Sequence, residues 1–331
     1  MRAATKPRNH DLPAPPTPVR LTGGAFRMGS DRHYTEEAPA HTVRVSDFII
    51  DPYPVTNTEF ARFTSATGYR TVAERPLDAA AFPGLSPEAL APGSLVFRKT
   101  HSAVDLRDFR QWWRWTQGAS WRHPEGPGTS IADRGNHPVV HIAFEDAQAY
   151  ADWAGKALPT EAEWEFAARG GLDGAEYAWG DEFSPGGRVM ANTWWGEFPH
   201  RRLRNKGYDR TSPVGRFPPN GYGLFDMIGN VWEWTTDWYS SQHPADAEKP
   251  CCIPQDPRGG LPEASYDACQ PSVRIPRRVV KGGSFLCAPS YCRRYRPAAR
   301  HAQMVDSGMS HIGFRCVTRV THIGTEGERH D

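Results

Sequence analysis

Glycine and proline interrupt this chain too often for long helices or long strands to form. There are 31 glycines and 30 prolines among its 331 residues, whereas the two types together reach roughly 12% in an average protein. The 12 tryptophans argue against disorder, because disordered chains are poor in aromatic residues. The sequence therefore predicts a loop-rich fold in which large aromatic side chains anchor irregular segments.

Three segments carry helix signals. The segments that begin at Thr56 and Thr160 have a glutamate three positions later, which is the spacing of a capping box. Gly68 and Gly170 can end these two helices in a left-handed conformation, and residues 145–154 predict a third helix. The remaining apolar segments are short and predict brief strands at residues 42–45, 48–50, 139–143, 278–280 and 314–317.

The chain shows no internal repeat and no linker, so we expect a single domain over residues 20–320. Residues 1–19 predict a flexible N-terminal lead, and residues 321–331 predict a C-terminal tail. Residues 74–136 form a long insertion with poor periodicity that contains four tryptophans. An insertion of this length in a compact domain is usually functional or an ordered wrap over the surface.

The charge pattern excludes two classes of partner. The 39 Lys and Arg residues balance 38 Asp and Glu residues, and no basic stripe is present, so we expect no nucleic-acid partner. No apolar run approaches the roughly 20 residues that span a bilayer, and the N-terminus has no apolar signal-peptide core. We therefore expect a cytoplasmic protein without a membrane partner, and we expect it to be a monomer.

All six cysteines fall in the last quarter of the chain, which favours metal or redox chemistry over a disulfide framework. Cys287 and Cys292 are five residues apart across a turn that contains Pro289, so their thiolates can converge on one ion. Thiolates favour Cu(I) or zinc, and the absence of zinc-finger spacing favours two-coordinate Cu(I), open to a third thiolate. A pair of small buried residues or a structural disulfide also fits this spacing.

Several longer motifs follow one another in a recognisable order at residues 23–30, 54–57, 137–140, 158–165, 229–234, 282–300 and 313–316. In this order they resemble the formylglycine-generating enzymes, also called sulfatase-modifying factors, over about residues 20–320. The resemblance implies a single loop-rich domain of the α/β (α+β) class, with low regular secondary structure and a C-type-lectin-like fold.

The resemblance also implies an activity. Cys287 and Cys292 would bind Cu(I), and the thiolate of the client would join as a third ligand. Dioxygen and a reductant would then convert the cysteine of a Cys-x-Pro-x-Arg motif, in an unfolded or extended sulfatase polypeptide, to formylglycine. Ser284 and Tyr291 match positions that line the active site of the family, and Trp234 matches an aromatic residue beside the oxygen pocket. Core packing is the alternative for Trp234 and Tyr291.

Calcium is the second cofactor that the resemblance implies. The carbonyl groups of Ile228, Gly229 and Val231, together with the Glu233 carboxylate, match a calcium site of the family. Oxygen ligands from an irregular loop are those that Ca²⁺ selects. The alternative is a Glu233 carboxylate that is paired with a nearby arginine.

A second calcium site of the family matches weakly. It would use Asn192, the carbonyl groups of Thr193 and Tyr208, and an acidic side chain. Lys206 stands at the acidic position in this chain. An ammonium group cannot bind a cation and can take its place, so we expect this site to be weak or absent.

Two departures from the family leave other functions open. His311 stands where asparagine is usual, and Ala288 stands where histidine often follows the first cysteine. Both raise the alternative that the same oxidase chemistry acts on a different protein client. A non-catalytic, lectin-like binding or regulatory module on the same scaffold is the other alternative. The adjacent Cys251 and Cys252 predict incidental thiols on a surface loop, and metal binding is the alternative for this pair.

Overall fold

The computed structural model describes residues 17–319, apart from 80–83, 85, 89, 204–207 and 245–252. The described residues form one loop-rich α+β arrangement with three short α-helices: α1 (Asn57–Thr67), α2 (Phe144–Trp153) and α3 (Glu161–Arg169). None of these helices is long and apolar enough to cross a membrane. Cys251, Cys252, Lys206 and the predicted tail at 321–331 lie outside the described residues.

The strands are short, as the glycine and proline content predicts. The largest sheet has four strands in the order β11-β10-β9-β12, in which β12 runs parallel to β9. A three-stranded sheet has the order β1-β4-β13, and three two-stranded sheets pair β2 with β3, β5 with β6, and β7 with β8. The strands are β1 (Val19–Leu21), β2 (Gly24–Met28), β3 (His41–Val45), β4 (Phe48–Ile50), β5 (Gly93–Phe97), β6 (Trp113–Gln117), β7 (Gly196–Glu197), β8 (Arg201–Arg202), β9 (Trp232–Trp238), β10 (Arg277–Lys281), β11 (Arg300–Met304), β12 (Ile312–Gly313) and β13 (Val317–Arg319).

The predicted helix ends are confirmed, because their signals are local. The backbone N–H of Thr56 donates to the Glu59 carboxylate (2.8 Å), and the backbone N–H of Glu59 donates to the Thr56 hydroxyl oxygen (3.3 Å). The same reciprocal pair joins Thr160 and Glu163 at 2.7 and 3.0 Å. Gly68, which follows α1, has a φ of 71°, a left-handed conformation that glycine adopts without steric cost.

The predicted strands at 42–45, 48–50 and 278–280 are confirmed by β3, β4 and β10. The predicted strand at 139–143 is wrong, although most of its residues are buried. Its backbone forms hydrogen bonds with separate segments of the chain and not with one strand. The Val139 N–H donates to the Val55 carbonyl oxygen, and the His141 N–H donates to the Met309 carbonyl oxygen. The φ of His141 is 62°, which breaks an extended conformation. Residues 314–317 are only partly a strand, because β12 ends at 313 and β13 begins at 317.

Buried ion pairs join helix α3 to strands β10 and β11, which flank a long loop. All residues of α3 are buried, and Glu165 in α3 accepts from Lys281 of β10 (2.9 Å) and from Arg169 (2.7 Å). Glu161 in α3 accepts from Arg300 of β11 (2.7 Å). Because buried charges are costly unless they are paired, these ion pairs hold both ends of the loop against α3.

Candidate active site

The cysteine pair lies on the loop that joins β10 to β11. Gly282 and Gly283 begin this loop with φ values of 89° and 70°. A Cβ on Gly282 would approach the Met227 carbonyl oxygen and the Trp164 ring to 3.0 Å each, so the tight exit from β10 requires glycine there. Further along, the Cys292 N–H donates to the Ala288 carbonyl oxygen (2.8 Å). This turn brings Cys292 back beside Cys287.

The structure places the two sulfur atoms in contact without a bond. Cys287 Sγ and Cys292 Sγ are 3.3 Å apart, whereas a disulfide bond is about 2.05 Å long. Cys287 is buried and Cys292 is partly exposed, and both are free cysteines. The Ser284 N–H lies 3.4 Å from Cys287 Sγ and points to it as a donor. The predicted convergence of the two thiols is therefore present.

The two thiols differ in acidity. The hydrogen bond from Cys287 lowers the pKa of Cys292, and the nearby Arg294 guanidinium lowers it further. Burial raises the pKa of Cys287 well above its ordinary value, and the hydrogen bond to Cys292 adds to this effect. The two pKa shifts run in opposite directions, and they favour the negative charge on Cys292 over Cys287.

This asymmetry predicts the alkylation behaviour of the reduced, metal-free protein. We expect the rate of Cys292 alkylation by iodoacetamide to rise with pH. The midpoint of this rise should lie below the pKa of about 8.5 of an ordinary thiol. Peptide mass mapping across a pH series measures this rate. The exposed Cys269 provides a reference rate in the same sample. In Cys287→Ala, which has no hydrogen-bond donor at this position, the midpoint for Cys292 should move upward. An ordinary midpoint in the wild type would contradict the assignment.

A cavity of about 200 Å³ opens above the pair. Four of the five predicted catalytic residues line it: Ser284, Cys287, Tyr291 and Cys292. Trp234 does not line the cavity. Its ring is fully buried, and its indole N–H donates to the Ile142 carbonyl oxygen (2.9 Å), so its described contacts are those of core packing. Core packing was the alternative to the predicted place of Trp234 beside the oxygen pocket, and these contacts favour it.

The wall beside the cysteines is aromatic. Tyr291 is 39% exposed and stacks on Phe198, with ring centroids 4.5 Å apart and planes within 4°. Trp112 meets the Tyr291 ring edge-on at 5.4 Å. Trp112 comes from the 74–136 insertion, which therefore contributes directly to the site. The tryptophans of that insertion were the sequence signal for this wall, whereas Phe198 gave no local signal.

The opposite wall is polar but carries little charge. Arg294 is the charged side chain among the described lining residues, and Glu36 accepts from it at 2.6 Å. His301, Gln303 and His311 also line the cavity. The His311 ring packs at 4.7 Å from that of Trp113. Ala288, by contrast, is fully buried outside the cavity.

The donor set at the cysteines fits Cu(I). In the described part of the chain, no group of three or more His, Cys, Asp or Glu residues is placed to hold a metal ion, so a tetrahedral zinc site is not provided. Two free sulfur atoms, 3.3 Å apart, face a cavity with room for a third ligand. Soft sulfur donors with low coordination suit Cu(I), so Cys287 and Cys292 are the residues that would hold it.

The donor set around Glu233 does not fit calcium. Both carboxylate oxygens of Glu233 accept from Arg315, at 2.7 and 2.8 Å, and one also accepts from the Trp164 indole N–H at 2.8 Å. Its negative charge is therefore neutralised within the protein. The predicted calcium ligands were Ile228, Gly229, Val231 and Glu233, and the structure has the arginine pair that was the alternative for Glu233.

The second predicted calcium site already holds a cationic side chain. Arg202 Nη2 donates to Asn192 Oδ1 (3.1 Å) and to the Thr193 carbonyl oxygen (3.0 Å). These are two of the oxygens that the family resemblance assigns to the metal. Lys206 was expected at this place but lies outside the described residues, and Tyr208 does not contact Arg202 through any described hydrogen bond.

Comparisons with known proteins agree with the geometry. Residues 3–320 match the family described as "Sulfatase-modifying factor enzyme 1-like domain". The chain is 56% identical over 299 residues to the formylglycine-generating enzyme of Mycobacterium tuberculosis, covering 90% of this chain and 96% of that one. It is 49% identical over 302 residues to the formylglycine-generating enzyme of Thermomonospora curvata, covering 90% and 92% of the two chains.

A solved structure supports the fold. PvdO from Pseudomonas aeruginosa aligns with a TM-score of 0.58 over 92% of this chain and 95% of that chain, at 22% sequence identity. At this identity the likeness concerns the fold alone. It agrees with the loop-rich α+β domain that the sequence predicts.

Proposed function

The chain belongs to the sulfatase-modifying factor family of formylglycine-generating enzymes, and from that premise we propose a copper-dependent oxidation of a client cysteine. The client is an unfolded or extended sulfatase polypeptide with a Cys-x-Pro-x-Arg motif, and the product is formylglycine. The observation that supports this best is the thiol pair, 3.3 Å apart, at the cavity. A binding module has no need of two free thiols at this position.

The proposed reaction balances with dioxygen and a two-electron reductant. The client side chain loses one sulfur and two hydrogens and gains one oxygen, which is a two-electron oxidation. Dioxygen accepts four electrons, so a reductant such as a pair of thiols supplies the other two electrons and two protons. The products are the aldehyde of formylglycine, hydrogen sulfide, water and the oxidised reductant.

Copper, when bound, would supply affinity for the client thiolate and electron transfer to dioxygen. Several residues of the chain favour copper binding at this pair. Cys292 provides a thiolate because Cys287 and Arg294 stabilise its negative charge. The Ser284 N–H holds the Cys287 sulfur in the loop. The indole and phenol rings of Trp112 and Tyr291 form an apolar part of the cavity wall.

The cavity is suited to an extended, uncharged stretch of polypeptide around the reacting cysteine. Its aromatic wall offers flat apolar faces, which pack well against proline. Its polar wall offers the neutral hydrogen-bonding groups of His301, Gln303 and His311. His311 is therefore the residue that bears on the alternative of a different client, whereas Ala288 does not face the client.

We further propose a cytoplasmic monomer. The support for this location is that Cys269, Cys287, Cys292 and Cys316 are all free, which a reducing compartment maintains.

Metal titration tests the copper proposal. In competition with a colorimetric Cu(I) chelator, we expect the reduced protein to bind one Cu(I) per chain. Cys287→Ser and Cys292→Ser should each lose this binding, because a hydroxyl is a poor ligand for Cu(I). Cys269→Ser, the same change at an exposed thiol outside the cavity, should bind as the wild type does. Equal binding by all the variants would contradict the assignment of copper to this pair.

A further inference from the structure

Arg202 is a buried arginine whose described partners are neutral oxygens. It lies on β8, where the neighbouring Arg201 points to solvent and Arg202 is only 8% exposed. Its guanidinium donates to Asn192 Oδ1, to the Thr193 carbonyl oxygen and, at 3.5 Å, to the Phe285 carbonyl oxygen. The guanidinium also lies over the Trp194 ring, 5.3 Å from its centroid.

Among the described residues, the hydrogen-bond acceptors of this guanidinium are one amide and two carbonyl oxygens, with no carboxylate. Burial lowers the pKa of Arg202 to about 10, and Asp209 partly opposes this effect, so Arg202 remains charged at neutral pH. A buried cation is costly unless its surroundings compensate for it. Here the compensation comes from converging amide and carbonyl oxygens, which are the groups that surround a hard metal ion.

These oxygens belong to two segments that meet behind the cysteine pair. Asn192 and Thr193 lead directly into Trp194, whose N–H donates to the Cys287 carbonyl oxygen (2.9 Å). Phe285 lies two residues before Cys287 on the catalytic loop. The guanidinium therefore joins the segment 192–194 to the loop 285–287, and neither Arg202 nor the three residues it bonds line the cavity.

We infer that the Arg202 guanidinium is the resident cation of this site, which means that it binds these oxygens in place of a divalent metal ion. Arg202 thereby acts as a positioning residue for the loop that carries Cys287. A Ca²⁺ ion requires six to eight oxygen ligands, and here two of the expected oxygens are already bonded to a positive group. A divalent ion would also be repelled by the guanidinium at hydrogen-bonding distance from the same oxygens.

Calcium dependence tests the first half of the inference. We compare the melting temperature in calcium and in chelator for the wild type and for Asn192→Ser. No effect of calcium on the wild type supports the resident cation. An equal effect on both proteins also supports it, because the ion then binds elsewhere. A calcium effect that is present in the wild type and lost in Asn192→Ser would place a divalent ion at Asn192 and overturn the inference.

Substitution of Arg202 tests the second half. We expect Arg202→Met to lower the melting temperature by roughly 5–10 °C, because three buried oxygens lose a charged donor. Arg202→Lys should lie between this variant and the wild type, since one ammonium group cannot reach all three oxygens. Arg201→Met, the same change at the exposed neighbour, should melt as the wild type does. A wild-type melting temperature for Arg202→Met would refute the role of a resident cation.

A copper-free probe separates positioning from general stability. A trivalent arsenical bridges two thiols only when they are close together, so its affinity reports the geometry of Cys287 and Cys292. We expect this affinity to fall severalfold in Arg202→Met. It should be unchanged in Leu21→Ala, which loses stability in the distant core around α3. Equal affinity in all three proteins would refute the positioning role. Neither test requires formylglycine formation, so both remain valid if the proposed oxidase activity fails.

Discussion

Replacing Cys287 or Cys292 with serine is expected to reduce formylglycine formation to background, a loss of at least roughly a thousandfold, or about 4 kcal/mol of barrier. The reason is chemical. A serine hydroxyl does not ionise near neutral pH and binds Cu(I) poorly, so either change removes half of the proposed ligand set.

The fold should survive both substitutions, since serine is close to cysteine in size. Circular dichroism and melting temperature check this for each variant. Cys269→Ser is the matched control, because it makes the same chemical change at an exposed thiol. Product formation is followed by mass spectrometry of a client peptide at saturating copper. Wild-type turnover in either active-site variant would remove the thiol pair from the mechanism.

Replacing Arg315 with methionine is expected to produce the largest loss of stability, about 3–5 kcal/mol in the free energy of unfolding. Arg315 is fully buried and binds both oxygens of the buried Glu233 carboxylate. It also donates to the Phe225 carbonyl oxygen at 2.8 Å. Removal of the guanidinium leaves an uncompensated buried charge on Glu233, which costs more than the lost hydrogen bonds alone.

Urea unfolding measures this loss. The double variant Arg315→Met with Glu233→Gln should recover part of it, because the unpaired charge is then gone. Arg319→Met is the control: its ion pair with Glu163 is similar, but the Arg319 side chain is 37% exposed, so we expect a loss below about 1 kcal/mol. A small loss in Arg315→Met would show that Glu233 is neutralised in another way, for which a bound cation is the first candidate.

The sequence predicted best those features that depend on neighbouring residues. The capping pairs at Thr56 and Thr160 and the glycine that ends α1 need only a few consecutive positions, and the structure confirms them. The run at 139–143 has the composition of a strand but the environment of a buried connection. Its hydrogen-bond partners, Val55 and Met309, lie far away in the sequence. No local pattern could have shown that this run bonds to them and not to a single neighbouring strand.

The candidate site was also predicted where the sequence signal is local and missed where it is not. The five-residue spacing made convergence of Cys287 and Cys292 plausible, and family resemblance turned that into an expectation. The aromatic wall is assembled from residues nearly two hundred positions apart in the chain, such as Trp112 and Tyr291, so spacing could not reveal it. Trp234 shows the converse: a position within a matching motif is not enough to place a side chain in the cavity.

The two calcium sites that the family resemblance implies, the second of them expected to be weak or absent, depend on contacts between distant residues. The sequence supplies suitable oxygens at Glu233 and Asn192, but it does not show which cation meets them. In the structure these cations are Arg315 and Arg202, which come from positions 82 and 10 residues away. Competition between an arginine and a metal ion for the same oxygens is decided by the three-dimensional arrangement.

The central claim is tested most directly by incubating a Cys-x-Pro-x-Arg peptide with the Cu(I)-loaded protein, a thiol reductant and oxygen, and weighing the peptide by mass spectrometry. We predict a product that has lost one sulfur and two hydrogens and gained one oxygen, formed only when copper, oxygen and both Cys287 and Cys292 are present. An unchanged peptide with copper bound at the pair would contradict the proposed client. An unchanged peptide with no copper bound would contradict the oxidase itself and favour a binding module on the same scaffold.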